Sequence, residues 1–286
     1  MPRGFERPAV ERRTGTDYDS AWSRRPLARQ ARLILLEGPI RLGVRALADP
    51  ERTGRDRLEG LEGAVIFAAN HHSHLDAPLL LTSIPEPWRH RIVVAAAADY
   101  FFTNRVTSAA SALAIGAIPM ERSRVERRSA ERAAALIDQG WSLLIFPEGG
   151  RSADGWGRGH RGGAAYLALR CSVPVVPVHL EGTGRIFGKG DKRPRPGTST
   201  VTFGAPLRPG AGDNASRFAG RIEQAVAALA DEAATDWWSA RRRAAKGESP
   251  SLTGPGMTSW RRAWALGDRH GRRTSSARPT PSWPRF

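Results

Sequence analysis

The sequence predicts an α/β fold: a mostly parallel central sheet flanked by helices, with an N-terminal amphipathic helical segment and a disordered basic C-terminal tail. Two observations carry the core of that expectation. From residue 64 onward, short apolar runs of strand length alternate with longer stretches rich in Ala, Leu, Arg and Glu, the pattern of strands joined by crossover helices. Polar motifs follow several of those runs directly, where open parallel sheets bind their ligands. At 286 residues, 40% of them hydrophobic, the chain is long enough to bury one sizeable core with appendages.

The first element is a stripe. Leu33, Leu36, Ile40, Val44 and Leu47 fall at steps of three and four, which places them on one face of a helix, or of two short helices broken at Gly38-Pro39. Arg29, Arg32, Arg41 and Arg45 interrupt the stretch. Such a helix suits a membrane interface and equally suits packing against the main domain.

Strands are then expected over 64–69, 91–95, 117–120, 141–146, 173–179 and 198–203, with helices over 99–113, 126–139, 163–169 and 214–230. The chain so divides into an N-terminal segment (1–59), a core domain (60–236) and a flexible tail rich in Trp, Arg and Pro (237–286).

The formal charge is +16, which by itself suggests a partner made of phosphates, either nucleic acid or anionic lipid. Its distribution argues against the first. Residues 61–238 hold 20 Lys+Arg against 17 Asp+Glu, whereas 239–286 hold 11 against 2. The core is nearly neutral and has no helix-turn-helix, zinc or RNA-binding signature, so no nucleic-acid partner is expected. Trp260, Trp264 and Trp283 stand among the arginines of the tail, just after Trp237 and Trp238. Indoles beside guanidinium groups favour the polar boundary of a bilayer, and a solvated basic tail accounts for the same composition.

Cys171 is the single cysteine, which excludes an intramolecular disulfide and a cysteine-held zinc. The longest unbroken apolar run, 92–98, is far short of the roughly 20 residues that cross a bilayer as a helix. The first residues mix Arg3, Glu6, Arg7 and Glu11, unlike a signal peptide. The expected location is therefore cytoplasmic, with peripheral contact to the inner face of the cell membrane.

The first core strand runs directly into Asn70-His71-His72-Ser73-His74-Leu75-Asp76. Imidazole takes a proton near neutral pH, and a carboxylate fixes its tautomer and stabilises the imidazolium. His71 and Asp76 are the pair expected to do this. Metal binding is the competing use of the same residues, yet their spacing is not the four-residue step of helical zinc sites and no distant partner cluster accompanies them, so no metal or other cofactor is expected. Ser73 and Asp76 also suit the capping of a following helix.

The strand over 141–146 ends in Phe146-Pro147-Glu148-Gly149-Gly150-Arg151-Ser152. Glycines let backbone N–H groups approach a ligand, Glu148 accepts from hydroxyls, and Arg151 offers a fork for phosphate or carboxylate. Gly116 to Arg122 closes another strand with an arginine, and Val173-Pro174-Val175-Val176-Pro177 opens the next.

These four blocks, in this order and spacing, resemble the glycerolipid acyltransferase family that includes lysophosphatidic-acid and glycerol-3-phosphate acyltransferases. The resemblance covers about residues 60–205. It implies transfer of a fatty acyl group from acyl-CoA or acyl-carrier protein, as co-substrate, to the hydroxyl of lysophosphatidic acid or another lysophospholipid. His71 would be the general base and Asp76 the group holding its ring, with Asn70 and Ser73 supporting their loop. Arg122 would bind the acceptor phosphate with Gly116 as its turn. Glu148, Gly149 and Arg151 would contact the acceptor, a backbone N–H near Gly149 would serve the oxyanion, and Pro177 would shape the acyl-donor side. Gly150 stands where the family most often has threonine, and 153–163 is richer in glycine than usual. An anionic membrane surface is the remaining partner implied.

Overall fold

The computed structural model of the chain describes residues 15–121, 127–152 and 155–254. Seven strands, β1 (Pro50–Thr53), β2 (Ile66–Ala69), β3 (Ile92–Ala97), β4 (Ala117–Met120), β5 (Ser142–Ile145), β6 (Val175–Glu181) and β7 (Ser199–Phe203), form one sheet. Its order is β1-β7-β6-β2-β5-β3-β4. Neighbours run parallel except β6 and β7, which are antiparallel. The expected α/β architecture is the one observed.

Ten α-helices surround the sheet: α1 (Pro26–Leu35), α2 (Arg41–Ala48), α3 (Asp76–Ser83), α4 (Ala98–Phe101), α5 (Arg105–Ala114), α6 (Arg127–Asp138), α7 (Gly163–Cys171), α8 (Thr183–Phe187), α9 (Ala215–Ala234) and α10 (Trp237–Lys246). Strand β2 explains why both faces need cover. Phe67 and Ala69 point into one apolar cluster with Leu79, Leu80, Val176 and Phe203. Ile66 and Ala68 point into a second, with Ala133, Leu143, Ala165 and Phe218. A strand buried on both sides is continuously apolar, which is why its neighbourhood reads so plainly in the sequence.

The N-terminal stripe is core from Leu36 to Val44, whereas Leu33, expected on the same face, is exposed. Leu36 and Val44 are buried in the first cluster and Ile40 packs against it. One wide turn (Leu36–Ile40), with Gly38 out of helical conformation and Pro39 behind it, separates α1 from α2, as the Gly-Pro pair requires. Leu27, Ile34 and Leu42 are exposed as well.

Three expectations need correction. The N-terminal segment does not end outside the sheet at 59, because β1 pairs in parallel with β7 and Thr53 donates its hydroxyl to Thr202 at 3.1 Å. Its sequence, Pro-Glu-Arg-Thr, has no apolar alternation because an edge strand buries little. The helix expected over 99–113 is two, since Asn104 turns its side chain onto the N–H of Thr107 at 2.9 Å and caps α5. The strand from 198, β7, runs antiparallel to β6 within a sheet that is otherwise parallel, as a mostly parallel sheet allows.

Finally, the tail is not flexible from 237. Asp236 caps α10 through the N–H of Ser239, and Asp231, buried on α9, takes Nε and Nη2 of Arg243 at 2.6 and 2.7 Å. Positions 255–286, with Trp260, Trp264 and Trp283, lie outside the described residues.

Candidate active site

The sheet brings the loop after β2 beside the loop after β5 because those strands are neighbours. Asn70 closes β2 by an amide that copies a peptide group. Its Nδ2 donates to the carbonyl of Leu180 at 2.8 Å and its Oδ1 accepts the N–H of Leu180 at 2.7 Å, extending the pairing to β6 by one side chain. Ser73, fully buried, donates to the carbonyl of Phe187 and accepts the N–H of Leu75. The chain between them is thereby pinned at both ends.

Between those pins, Asp76 opens α3 and turns its carboxylate back. Its Oδ2 receives the N–H groups of His72 (2.7 Å) and Ser73 (2.8 Å) and lies 2.8 Å from Nδ1 of His71. With Oδ2 already accepting two backbone N–H groups, the contact to His71 is made best with Nδ1 as the donor. Nε2 is left with its lone pair. The ring lies flat on Phe146, with centroids 4.1 Å apart, which fixes its plane.

Glu148, 77 residues farther along, backs the same loop. Its Oε1 accepts the N–H of His71 at 2.9 Å, its Oε2 the N–H of Arg158 at 3.0 Å, and Ser152 donates its N–H to the carbonyl of His71. Burial pushes the Glu148 carboxyl up to about 7, with nearby Asp76 adding to the rise and the two backbone N–H groups opposing it. Glu148 therefore braces the backbone of His71 from beneath.

A cavity of about 620 Å³ opens beside His71 over the carboxyl ends of β3 and β5. Its apolar part is lined by Val94, Ala95, Ala96, Ile115, Met120 and Leu167, and its polar part by Arg151, Arg158, Arg161 and Lys189. The alanines at the end of β3 leave the space that larger side chains would fill. Arg151 Nη1 is a buried donor without a hydrogen-bond partner among the described residues. Its guanidinium lies 5.8 Å from the ring centre of Tyr100, whose hydroxyl is 3.3 Å from His74. Burial, with Arg151 and His71 adding, holds the His74 imidazole below its usual range.

The pattern of motifs and the mouth of the sheet now coincide. A match to the family described as Acyltransferase covers residues 49–181. Over those residues the chain is similar to the acyltransferase family. The chain is 30% identical over 61% of its length to a 1-acyl-sn-glycerol-3-phosphate acyltransferase of Chlamydomonas reinhardtii, covering 51% of that protein. To the chloroplastic enzyme BAT2 of Brassica napus, named for the same activity, it is 30% identical over 49% of this chain and 39% of the relative. The chain thus spans about half or less of the length of these curated relatives. The crystal structure of the 1-acyl-sn-glycerophosphate (LPA) acyltransferase PlsC from Thermotoga maritima superposes with a TM-score of 0.58 at 20% identity, over 76% of this chain and 84% of that one, a likeness of fold.

The acyltransferase motif residues do not all reach the cavity. His71, Gly149 and Arg151 line it, Asp76 and Glu148 stand behind His71, and Asn70 and Ser73 hold the loop. Gly116 is a turn into β4 at φ +66°, where a Cβ would lie 2.8 Å from Nη1 of Arg32. Arg122 lies outside the described residues. Two expectations change. The first narrows: the N–H of Gly149 itself donates to the carbonyl of Phe146 at 3.0 Å and is spent on its own turn, which leaves the neighbouring N–H groups. Pro177 is buried in mid-β6, where its ring would meet a Cβ on Gly204; strand alternation turns it toward α9 rather than to the cavity.

Arg158, Arg161 and Lys189 were not anticipated. The first two sit in the glycine-rich stretch, whose glycines let a long loop fold back over the Gly149-Gly150 turn. A Cβ on Gly149 would come 2.9 Å from Nε of Arg161, and one on Gly150 3.6 Å from Nη1 of Arg158. Arginines spaced among glycines after a strand end were the available signal. Among the described residues no group of three or more His, Cys, Asp or Glu side chains stands ready to hold a metal ion.

Proposed function

We propose that this chain transfers a fatty acyl group from a thioester donor, acyl-CoA or acyl-carrier protein, to the free hydroxyl of lysophosphatidic acid. The observation that carries this reading is the His71–Asp76 pair at the mouth of a cavity that is apolar within and rimmed by arginines. An acyl chain suits the first part and a phosphate monoester the second. Several relatives are named for this activity.

In the proposed step the acceptor oxygen attacks the thioester carbonyl as Nε2 of His71 takes the hydroxyl proton. The imidazolium that forms keeps its Nδ1–H on Asp76, whose charge stabilises it. The tetrahedral intermediate then collapses to the ester, the C–S bond breaks, and the departing thiolate recovers the proton from Nε2. The acceptor supplies the nucleophile, so the protein needs only the base and the carboxylate that orients it. Cys171, its thiol pushed up to about 11 chiefly by burial, with Asp138 adding, has no part in the step.

Docking on an anionic membrane surface, the cytoplasmic leaflet of the cell membrane, belongs to the same proposal because donor and product both carry acyl chains. No helix of the described residues is long and apolar enough to cross a membrane. Leu27, Ile34 and Leu42 on α1 and α2, and the stacked Trp237 and Trp238 on α10, are exposed. Arg241, Arg242 and Lys246 stand exposed on α10 beside the indoles. Such combinations favour the interface of an anionic bilayer.

The test is purified protein with labelled acyl-CoA or acyl-carrier protein and a panel of lysolipids, the products separated by head group. Labelled phosphatidic acid is expected. Label on another head group alone would move the acceptor, and no labelled lipid with either donor would remove the proposal.

A further inference from the structure

Beyond the family match, the chain returns to the site. The loop between β5 and α7, which carries Arg158 and Arg161 into the cavity, is tied to the core at three points. Arg158 N–H reaches Oε2 of Glu148 at 3.0 Å, His160 N–H reaches Oε2 of Glu223 at 2.8 Å, and Arg161 N–H reaches the carbonyl of Pro147 at 2.9 Å. Its outer part, Trp156-Gly157, has a different support. The buried N–H of Gly157 donates at 2.8 Å to the carbonyl of Leu252, five residues beyond the glycine that ends α10.

The two segments are fitted without slack. A Cβ on Gly157 would lie 3.3 Å from Cβ of Leu252. Gly254, at φ +66°, lies so closely on the indole of Trp156 that a Cβ would collide with Cγ, Cδ2 and Cε3. Only glycine satisfies both that backbone conformation and that approach. The base of this arm is firm, since Arg243 of α10 holds buried Asp231 of α9 through two hydrogen bonds.

We infer that residues 251–254 form a strap that positions the loop 155–161, and through it Arg158 and Arg161, for the phosphate of the acceptor; Trp156, Leu252 and Gly254 are its positioning residues. This rests on the proposed acyltransferase reading for its substrate but not for its geometry. The His71 ring is oriented by Asp76 and by its stack on Phe146, neither of which the strap touches, so loosening the strap weakens the hold on acceptor phosphate and leaves the proton transfer largely in place.

The experiment compares the full chain with Gly254→Val, Trp156→Ala and the conservative Trp156→Phe. It measures kcat and KM for lysophosphatidic acid and for acyl donor, together with hydrogen exchange over 155–161. Gly254→Val and Trp156→Ala are expected to raise KM for lysophosphatidic acid about tenfold, with kcat and donor KM changed less than about threefold. Exchange at Gly157 to Arg161 quickens at unchanged thermal midpoint, and Trp156→Phe restores most of both. Unchanged exchange in the loop, or a fall in kcat with acceptor KM unmoved, would overturn the inference. If the unaltered protein does not acylate lysophosphatidic acid, the proposed function fails while the exchange measurement still decides the strap.

Discussion

Nδ1 of His71 and Oδ2 of Asp76 stand 2.8 Å apart, and the same oxygen holds the N–H groups of His72 and Ser73. One buried carboxylate oxygen thus folds the loop and orients the base. Replacing it must affect both. Asp76→Ala leaves the donors that Asp76 bonded without partners, at a cost of about 2–4 kcal/mol in urea unfolding. Asp76→Asn keeps the shape but removes the charge that fixes the tautomer, and is expected to lower kcat by about 10³ or more with much less loss of stability. Equal damage to stability from both variants would show that the carboxylate serves folding alone.

Under the proposed function, the arginines beside the Gly149-Gly150 turn separate acceptor recognition from chemistry. Arg161→Ala is expected to raise KM for lysophosphatidic acid about tenfold while leaving KM for a phosphate-free monoacylglycerol nearly unchanged. Added salt diminishes the contrast, since Arg158 and Arg161 are exposed. Steady-state kinetics with both acceptors provides the check, and a parallel rise in both KM values would contradict a phosphate-binding role.

Glu148 imposes a pH dependence on stability. Its folded carboxyl titrates at about 7 against an ordinary 4.5, so between those values the folded state holds a proton that the unfolded state releases. Stability from this group is present below about 4.5 and lost as pH rises through about 7, by roughly 3 kcal/mol at most. Glu148→Gln removes that slope. Relative to the unaltered protein, it should gain stability between pH 5 and pH 8 in denaturant titrations, and an identical pH slope in the two proteins would contradict the assignment.

The expected strands correspond closely to β2 through β7 because each is buried in the sheet and reads as an apolar run. Strand β1 escaped because Glu51 and Arg52 sit at an edge, and α10 because its ten residues bury only Ala240. The His71–Asp76 pair was legible because five residues of chain suffice to close it. The contact of Glu148 with the N–H of His71 was not, since it depends on β5 lying beside β2. Pro177 was misjudged because a motif names residues, while strand alternation decides which of them face the ligand.

Exposed indoles and leucines give the membrane proposal its test. Trp237→Ala with Trp238→Ala, and separately Leu27→Ser with Ile34→Ser, are expected to reduce flotation with phosphatidylglycerol-rich vesicles several-fold at low salt, with the His71 site intact by turnover on short-chain, detergent-dispersed substrate. Undiminished flotation in both double variants would exclude these faces as the docking surface.

The central claim is that Nε2 of His71 removes the acceptor's proton, and single-turnover acyl transfer by His71→Ala tests it most directly. With circular dichroism and thermal midpoint near those of the unaltered protein, labelled phosphatidic acid should form at least about 10³-fold more slowly. A correctly folded His71→Ala protein that transfers the acyl group at an undiminished rate would contradict the account.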